Sequence, residues 1–92
     1  MIDDERLDQI ATALRHREGE KAELVTSLML AEEAGEAVQQ LRRHLGHARR
    51  PATPSDVGAE LADVVIVAAV LARLLDVDLA EHVDAKLAEG VR

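Results

Sequence analysis

The segment from Val64 to Ala72 constrains the fold of this chain more than any other part of its sequence. Its nine consecutive residues are all valine, isoleucine, alanine or leucine. A helix that is apolar around its whole circumference requires burial on every side. A chain of 92 residues has few other helices with which to surround this one. We therefore expect an all-α fold whose core is completed by further copies, as a homodimer or a tetramer.

Helical signals continue through the rest of the chain, which we interpret as a single domain covering residues 1–92. Apolar residues recur every three or four positions from Leu7 to Leu14, as on one face of a helix. Gly46 is typical of the residue just after a helix, while Thr53 and Asp78 are typical N-caps. The predicted helices run from about residue 4 to 15, 20 to 45, 54 to 75 and 79 to 90.

The composition excludes several classes of protein. The chain has no cysteine, which rules out disulfides and a thiol nucleophile. Its formal charge of −7 argues against a nucleic-acid partner. The apolar segment is too short to cross a bilayer, and the charged N-terminal residues do not resemble a secretory signal. We expect a cytoplasmic protein with no membrane partner.

Two pairs of acidic residues stand out within the predicted second and third helices. Glu33 and Glu36 are three residues apart, and so are Glu60 and Asp63. This spacing places both members of a pair on one face of a helix, with their Cβ atoms roughly 5–6 Å apart. Each pair also lies on the same helical row as apolar residues, which predicts that the carboxylates are partly buried.

Four neighbouring carboxylates at a partly buried site repel one another and require a counter-charge. No lysine or arginine lies nearby on either helical row. Oxygen ligands without nitrogen or sulfur favour magnesium, with manganese as an alternative, over zinc. The sequence therefore predicts a metal site built from Glu33, Glu36, Glu60 and Asp63. The alternative is that these are solvated acids on a chain that carries many others.

The two acidic segments together resemble a known family. EEAGE at residues 32–36, followed after a loop by ELADVV at residues 60–65, is similar to the EExxE…ExxD signature of the MazG-like nucleotide pyrophosphohydrolases, members of the all-α NTP pyrophosphatase superfamily. The resemblance covers roughly residues 20–92. It implies a four-helix bundle completed by subunit association, and hydrolysis of a nucleoside triphosphate to a monophosphate and pyrophosphate.

The resemblance also implies roles for particular residues. The four paired acids would hold magnesium that bridges the phosphates, while a water molecule attacks the α-phosphorus. Glu32 or Glu33 is then the candidate to orient or deprotonate that water. Arg49, Arg50 and Lys86 are the candidates to contact the substrate phosphates. For the two arginines, the alternative is a solvated basic loop that follows the end of a helix.

Other interpretations of the sequence have weaker support. His44 and His47 are spaced to share a metal ion, but their position around Gly46 is more typical of surface residues. A di-iron bundle requires Glu-x-x-His pairs, and the sequence contains none. The strongest alternative is a regulatory or non-catalytic helical oligomer that retains metal or nucleotide binding, because the chain has no aromatic residue to stack on a base.

Overall fold

The computed structural model describes residues 3–90, which form helices joined by short links. A 3₁₀ turn at Gly19–Lys21 connects the first two α-helices. The α-helices are α1 (Asp4–Glu18), α2 (Ala22–His44), α3 (Pro54–Leu74) and α4 (Leu79–Glu89). The all-α prediction is thus confirmed. The first helix continues three residues beyond its predicted end, to a C-cap glycine with a φ of 59°.

The sequence signals for helix starts correspond to observed caps. The Thr53 hydroxyl accepts a hydrogen bond from the Asp56 N–H at 3.2 Å, and the Asp56 carboxylate accepts one from the Thr53 N–H at 2.8 Å. This reciprocal capping box fixes the first turn of α3. The Asp78 carboxylate likewise accepts from the Glu81 N–H at 3.1 Å at the start of α4.

The helix ends of α2 and α3 have the same backbone geometry. Gly46 follows α2 with a φ of 82°, and the His47 N–H donates to the Arg42 carbonyl at 2.8 Å. Asp76 occupies the corresponding position after α3, with a φ of 57°. Asp76 therefore adopts a left-handed conformation that glycine tolerates better.

Helices α1, α2 and α3 pack together, and the contact between α2 and α3 is the most extensive. The core is thin, because five of its eight buried apolar residues are alanines. Thr26 is the one buried polar residue in the described part of the chain, and its hydroxyl donates to the Ala22 carbonyl. The central cluster consists of Leu7, Ala11, Leu14, Ala69 and Val70.

Two arginines hold the helix ends in place. Arg15 pairs with Glu23 at the start of α2 and donates to the Leu74 carbonyl, at 3.2 Å, at the end of α3. The first turn of α2 therefore lies beside the last turn of α3, so the two helices are antiparallel. Arg73 of α3 pairs with Asp4 of α1 at 2.6 Å. These contacts join residues that are distant in sequence.

The single chain does not bury α3 on all sides. Val65 and Ile66 remain 45% and 40% exposed. They line an open apolar groove of about 600 Å³ between α1 and α3, together with Ile10 and Leu61. Within residues 3–90, no helix has the combination of length and apolarity needed to span a membrane.

Helix α4 stands apart from the other three. All of its residues are exposed, and it makes no extensive contact with α1, α2 or α3. The solvent-accessible surface of the chain is 7020 Å², whereas a compact protein of 10.0 kDa exposes roughly 5,200 Å². The Cα radius of gyration is 15.1 Å, compared with about 12 Å for a compact chain of this length. A single chain is therefore less compact than a typical folded protein of its size.

Candidate metal centre

The antiparallel packing of α2 and α3 brings the two acidic segments together. Glu33 and Glu36 lie one turn apart on α2, and Glu60 faces them from α3. One carboxylate oxygen from each of the three residues lies within 4.8 Å of the other two. The sequence placed these acids on two helices, and the fold gathers three of the four predicted ligands at one point.

Two oxygens in this acid cluster, which consists of Glu33, Glu36 and Glu60, are left without partners. Oε2 of Glu33 and Oε2 of Glu60 are both shielded from solvent and accept no hydrogen bond. Within residues 3–90, no lysine, arginine or histidine forms an ion pair with any of the three. A buried carboxylate oxygen without a donor is destabilising, since it loses water and gains nothing in return.

The pKa values of two of these acids reflect their surroundings. Burial raises the pKa of Glu33 above its ordinary value, and the neighbouring charges of Glu36, Asp63 and Glu60 raise it further. Burial also raises the pKa of Glu60, with additional contributions from Glu36 and Asp63. Both shifts have the same physical causes, which are partial burial and the negative charge of the neighbouring acids.

Asp63 and Glu32 lie beside the cluster rather than in it. Asp63 is exposed on α3, and its carboxylate is near enough to raise the pKa values of Glu33 and Glu60. It is not one of the three whose oxygens converge. Glu32 precedes Glu33 on α2 and is also exposed. The fold thus separates three converging ligands from two acids at their edge.

The basic residues predicted to contact phosphates lie at opposite ends of α3. Arg49 and Arg50 are exposed in the link before its first residue, whereas Lys86 is exposed on α4, beyond its last residue. Leu74 lies fourteen positions after Glu60, a rise of about 21 Å along the helix. Lys86 is therefore not brought beside the acid cluster of its own chain, and its predicted role stays a prediction, as do those of the arginines.

The histidine pair occupies the turn at the end of α2. His44 Nδ1 donates to the Ala52 carbonyl at 3.2 Å, which ties the end of α2 to the link that leads into α3. His47 is exposed in that link. His44 therefore has a structural contact, in keeping with the interpretation of both histidines as surface residues.

The chemistry of the cluster fits a hard divalent cation. Its donors are all carboxylate oxygens, the ligands that magnesium and manganese prefer. The two unpartnered oxygens supply donor positions that no group of the chain fills. A cation there would neutralise charge that the fold otherwise leaves uncompensated.

Comparison with protein-family models, curated proteins and solved structures finds no match. The resemblance to the MazG-like family therefore rests on the motif residues quoted above, and it stays a prediction. What the fold adds is independent of that resemblance. It consists of three carboxylates from two antiparallel helices, gathered at a partly buried point.

Proposed function

We propose that this chain is a magnesium-dependent nucleoside triphosphate pyrophosphohydrolase, which converts an NTP or dNTP and water to the monophosphate and pyrophosphate. The observation that carries the proposal is the convergence of Glu33, Glu36 and Glu60, two of which have a buried oxygen without a partner. The proposal combines this geometry with the resemblance of the two acidic motifs. Manganese is the alternative metal.

The chain's own residues have distinct parts in this scheme. Glu33, Glu36 and Glu60 hold the cation, with Asp63 beside them as the fourth ligand. When bound, magnesium neutralises charge on the phosphate oxygens and lowers the pKa of a coordinated water. The exposed Glu32, which is outside the converging set, is the acid that remains free to accept a proton from the attacking water. Glu33 is the second candidate for that role.

The substrate is a polyanion, and the acid cluster alone would repel it. The metal and nearby basic groups must therefore compensate its charge. Arg49 and Arg50, exposed in the link between the two acidic helices, are the candidates within the same chain. Lys86 would need to reach a site from another subunit, because α4 leaves from the far end of α3.

We also propose that the chain is a homodimer or a dimer of dimers. A single chain exposes about 1,800 Å² more surface than a compact protein of its mass. Two chains that both buried this excess would form an interface of roughly 3,600 Å², within the range of obligate homodimers. Light scattering at micromolar concentration tests this proposal, and a stable folded monomer would contradict it.

The enzymatic proposal is tested by measuring pyrophosphate release from a panel of ribo- and deoxyribonucleoside triphosphates with magnesium. We expect release of pyrophosphate rather than orthophosphate, because attack at the α-phosphorus leaves the other two phosphates joined. Calorimetric titration with magnesium alone tests the metal site separately. Glu60→Gln serves in both measurements as the variant that lacks one converging carboxylate.

A non-catalytic role is the second candidate, and one observation favours it. The chain contains no Phe, Tyr or Trp, so neither it nor a second copy can stack an aromatic ring on a nucleobase. Under this alternative the protein is a regulatory helical oligomer that binds metal or nucleotide. Magnesium binding without pyrophosphate release from any nucleotide of the panel would select it.

A further inference from the structure

Helix α2 has an apolar face that no other part of the described chain covers. Leu24, Leu28, Val38 and Leu45 are each between 58% and 63% exposed. Their side chains lie opposite the helix face that carries the buried residues Ala22, Thr26 and Ala37. This outer face of α2 consists of Leu24, Leu28, Ala31, Gly35, Val38 and, as the residue that follows the helix, Leu45.

The spacing of these residues is that of a helix–helix seam. From Leu24 to Leu45 the apolar or small residues recur at alternating intervals of four and three, interrupted only at Arg42. This heptad repeat keeps one stripe facing a partner helix along its length. The stripe covers about 31 Å of helix. A single exposed leucine is ordinary on a protein surface, but a continuous apolar stripe of this length is not.

We infer that the outer face of α2 is a self-complementary interface, on which α2 of a second copy packs in the antiparallel direction. This inference rests on the proposed assembly and specifies which surface forms it. A second copy is the occupant because one chain exposes more surface than a compact protein of its mass, part of it on this face, and the stripe can pair with itself. A two-fold axis also lets one stripe serve both partners.

Charge determines the direction of the pairing. Arg42 lies on the seam in the last turn of α2, and Glu20 lies just before the first turn, where Lys21 also lies and Glu23 is already paired with Arg15 of its own chain. Antiparallel packing places Arg42 of one copy near Glu20 of the other. Parallel packing would instead set the two copies of Arg42 in the same layer of the seam, where like charges repel.

Small residues occupy the middle of the seam. Full overlap of two antiparallel copies of Ala22–His44 puts the two-fold axis at residue 33, so Ala31 of each copy faces the partner's Gly35. Glycine inside a helix costs about 1 kcal/mol relative to alanine. A Cβ at Gly35 would meet nothing within 4 Å in its own chain, so internal packing does not require glycine there. Close approach of a partner helix would require a residue without a side chain at this position.

The inferred seam leaves the acid cluster untouched. Glu33 and Glu60 meet on the side of α2 that faces α3, which is the side away from the seam. Residues of the outer face can therefore be altered without changing a proposed metal ligand. Failure of the seam and failure of the hydrolase proposal are thus separable.

The absence of native cysteine makes single-cysteine cross-linking a direct test. We expect a short bis-maleimide to convert the Ala31→Cys protein to covalent dimers, because the two copies of residue 31 are about 6 Å apart along the antiparallel pair. The Leu24→Cys protein should not cross-link, because its two cysteines are about 27 Å apart. A mixture of Leu28→Cys and Val38→Cys proteins should cross-link to each other.

Three results would overturn the inference. Cross-linking of Leu24→Cys alone would show parallel pairing. An Ala31→Cys protein that is dimeric by light scattering but does not cross-link would place the interface elsewhere. A wild-type monomer would remove the assembly itself, whatever the result of the pyrophosphate assay. If a protein of different sequence occupied this face instead, the purified chain alone would likewise be a monomer.

A matched pair of substitutions provides a second measurement. Gly35→Leu adds a side chain where its own chain has open space, so the fold should persist while the dissociation constant of the dimer rises at least tenfold. Ala13→Leu makes a comparable addition at an exposed position of α1 and should leave the constant unchanged. Equal constants for wild type and Gly35→Leu would contradict close packing at the seam.

Discussion

Each face of α2 carries residues that are unusual for its position. The inner face, against α3, holds carboxylates whose oxygens are partly buried and unpartnered. The outer face, toward solvent, holds leucines and a valine that are more than half exposed. A surface helix normally buries its apolar stripe and exposes its charges. The two proposals assign a different partner to each face, a cation to the inner face and a second copy of the chain to the outer face.

Substitution of an acid on the inner face should have the largest effect, which is on pyrophosphate release. Glu60→Gln keeps the shape of the side chain but removes its charge. We expect pyrophosphate release to fall by about 100-fold or more, since loss of even a group that only hydrogen-bonds to a metal ligand costs about 10–100-fold. Glu5→Gln is the matched control, as Glu5 is exposed on α1. Equal rates for wild type and Glu60→Gln would show that the cluster does not carry the activity.

On the outer face, polar substitution should affect assembly instead. Leu28→Gln removes apolar burial from two copies of the chain at once, a loss of about 3 kcal/mol and a rise of roughly 100-fold in the dissociation constant of the dimer. Sedimentation at several concentrations measures this. Metal affinity per chain should be unchanged. A dissociation constant that does not move would show that the two faces are not both partner surfaces.

Magnesium should stabilise the inner face, and more strongly as the pH rises. At a concentration 100 times its dissociation constant, the metal should add about 2.7 kcal/mol to the free energy of unfolding. Thermal melts with and without magnesium measure this gain. Protons compete for the same oxygens, so the gain should shrink as the pH falls. A melting temperature that does not respond to magnesium at any pH would argue against the site.

The same acids should give the metal-free protein a distinct pH dependence. Because folding raises the pKa values of Glu33 and Glu60, their contribution favours folding below the ordinary carboxyl pKa. That contribution is lost as the pH rises through the raised values. The stability of wild type relative to Glu60→Gln should therefore decrease with increasing pH. Melts of both proteins across that range test the sign, and an increasing difference would contradict the burial of Glu60.

Substitution of the uncharged polar residue on the inner face, Thr26, should have the smallest effect on stability. Thr26 is fully buried, and its hydroxyl donates to the Ala22 carbonyl four residues earlier. Thr26→Val preserves the shape and loses only this local bond, so we expect a change within about 1 kcal/mol. Chemical denaturation measures it, and magnesium affinity is the internal control. If Thr26→Val lowered magnesium affinity by more free energy than it lowered stability, residues of the inner face other than the acids would also contribute to metal binding.

Local sequence signals predicted the secondary structure of this chain well. Thr53 with Pro54, Gly46 and Asp78 all mark helix boundaries, because caps depend on residues within one turn of each other. The convergence of Glu33 with Glu60 could also be anticipated, since an antiparallel pair of helices joined by a short link brings such rows together. These features depend on near neighbours or on a regular period.

Contacts between distant residues were not predictable in the same way. Nothing near Arg15 or Arg73 in the sequence indicates that they pair with Glu23 and Asp4, because such contacts depend on the helix crossing. The position of Asp63 at the edge of the cluster depends on the rotation of α3 by a fraction of a turn. The exposed face of α2 was also missed, since its heptad stripe reads as an ordinary core face until the packing of α3 is known.

Helix α4 has a consequence for how this protein acquires its final structure. It is eleven residues long and carries one apolar residue per turn at Leu79, Val83 and Leu87, none of them buried. Isolated helices of this length are marginal in water. We therefore expect its folding to be coupled to association, so that helix content by circular dichroism falls on dilution and amide exchange across residues 79–89 accelerates. An α4 that stays protected at the lowest concentrations would be stable without a neighbour.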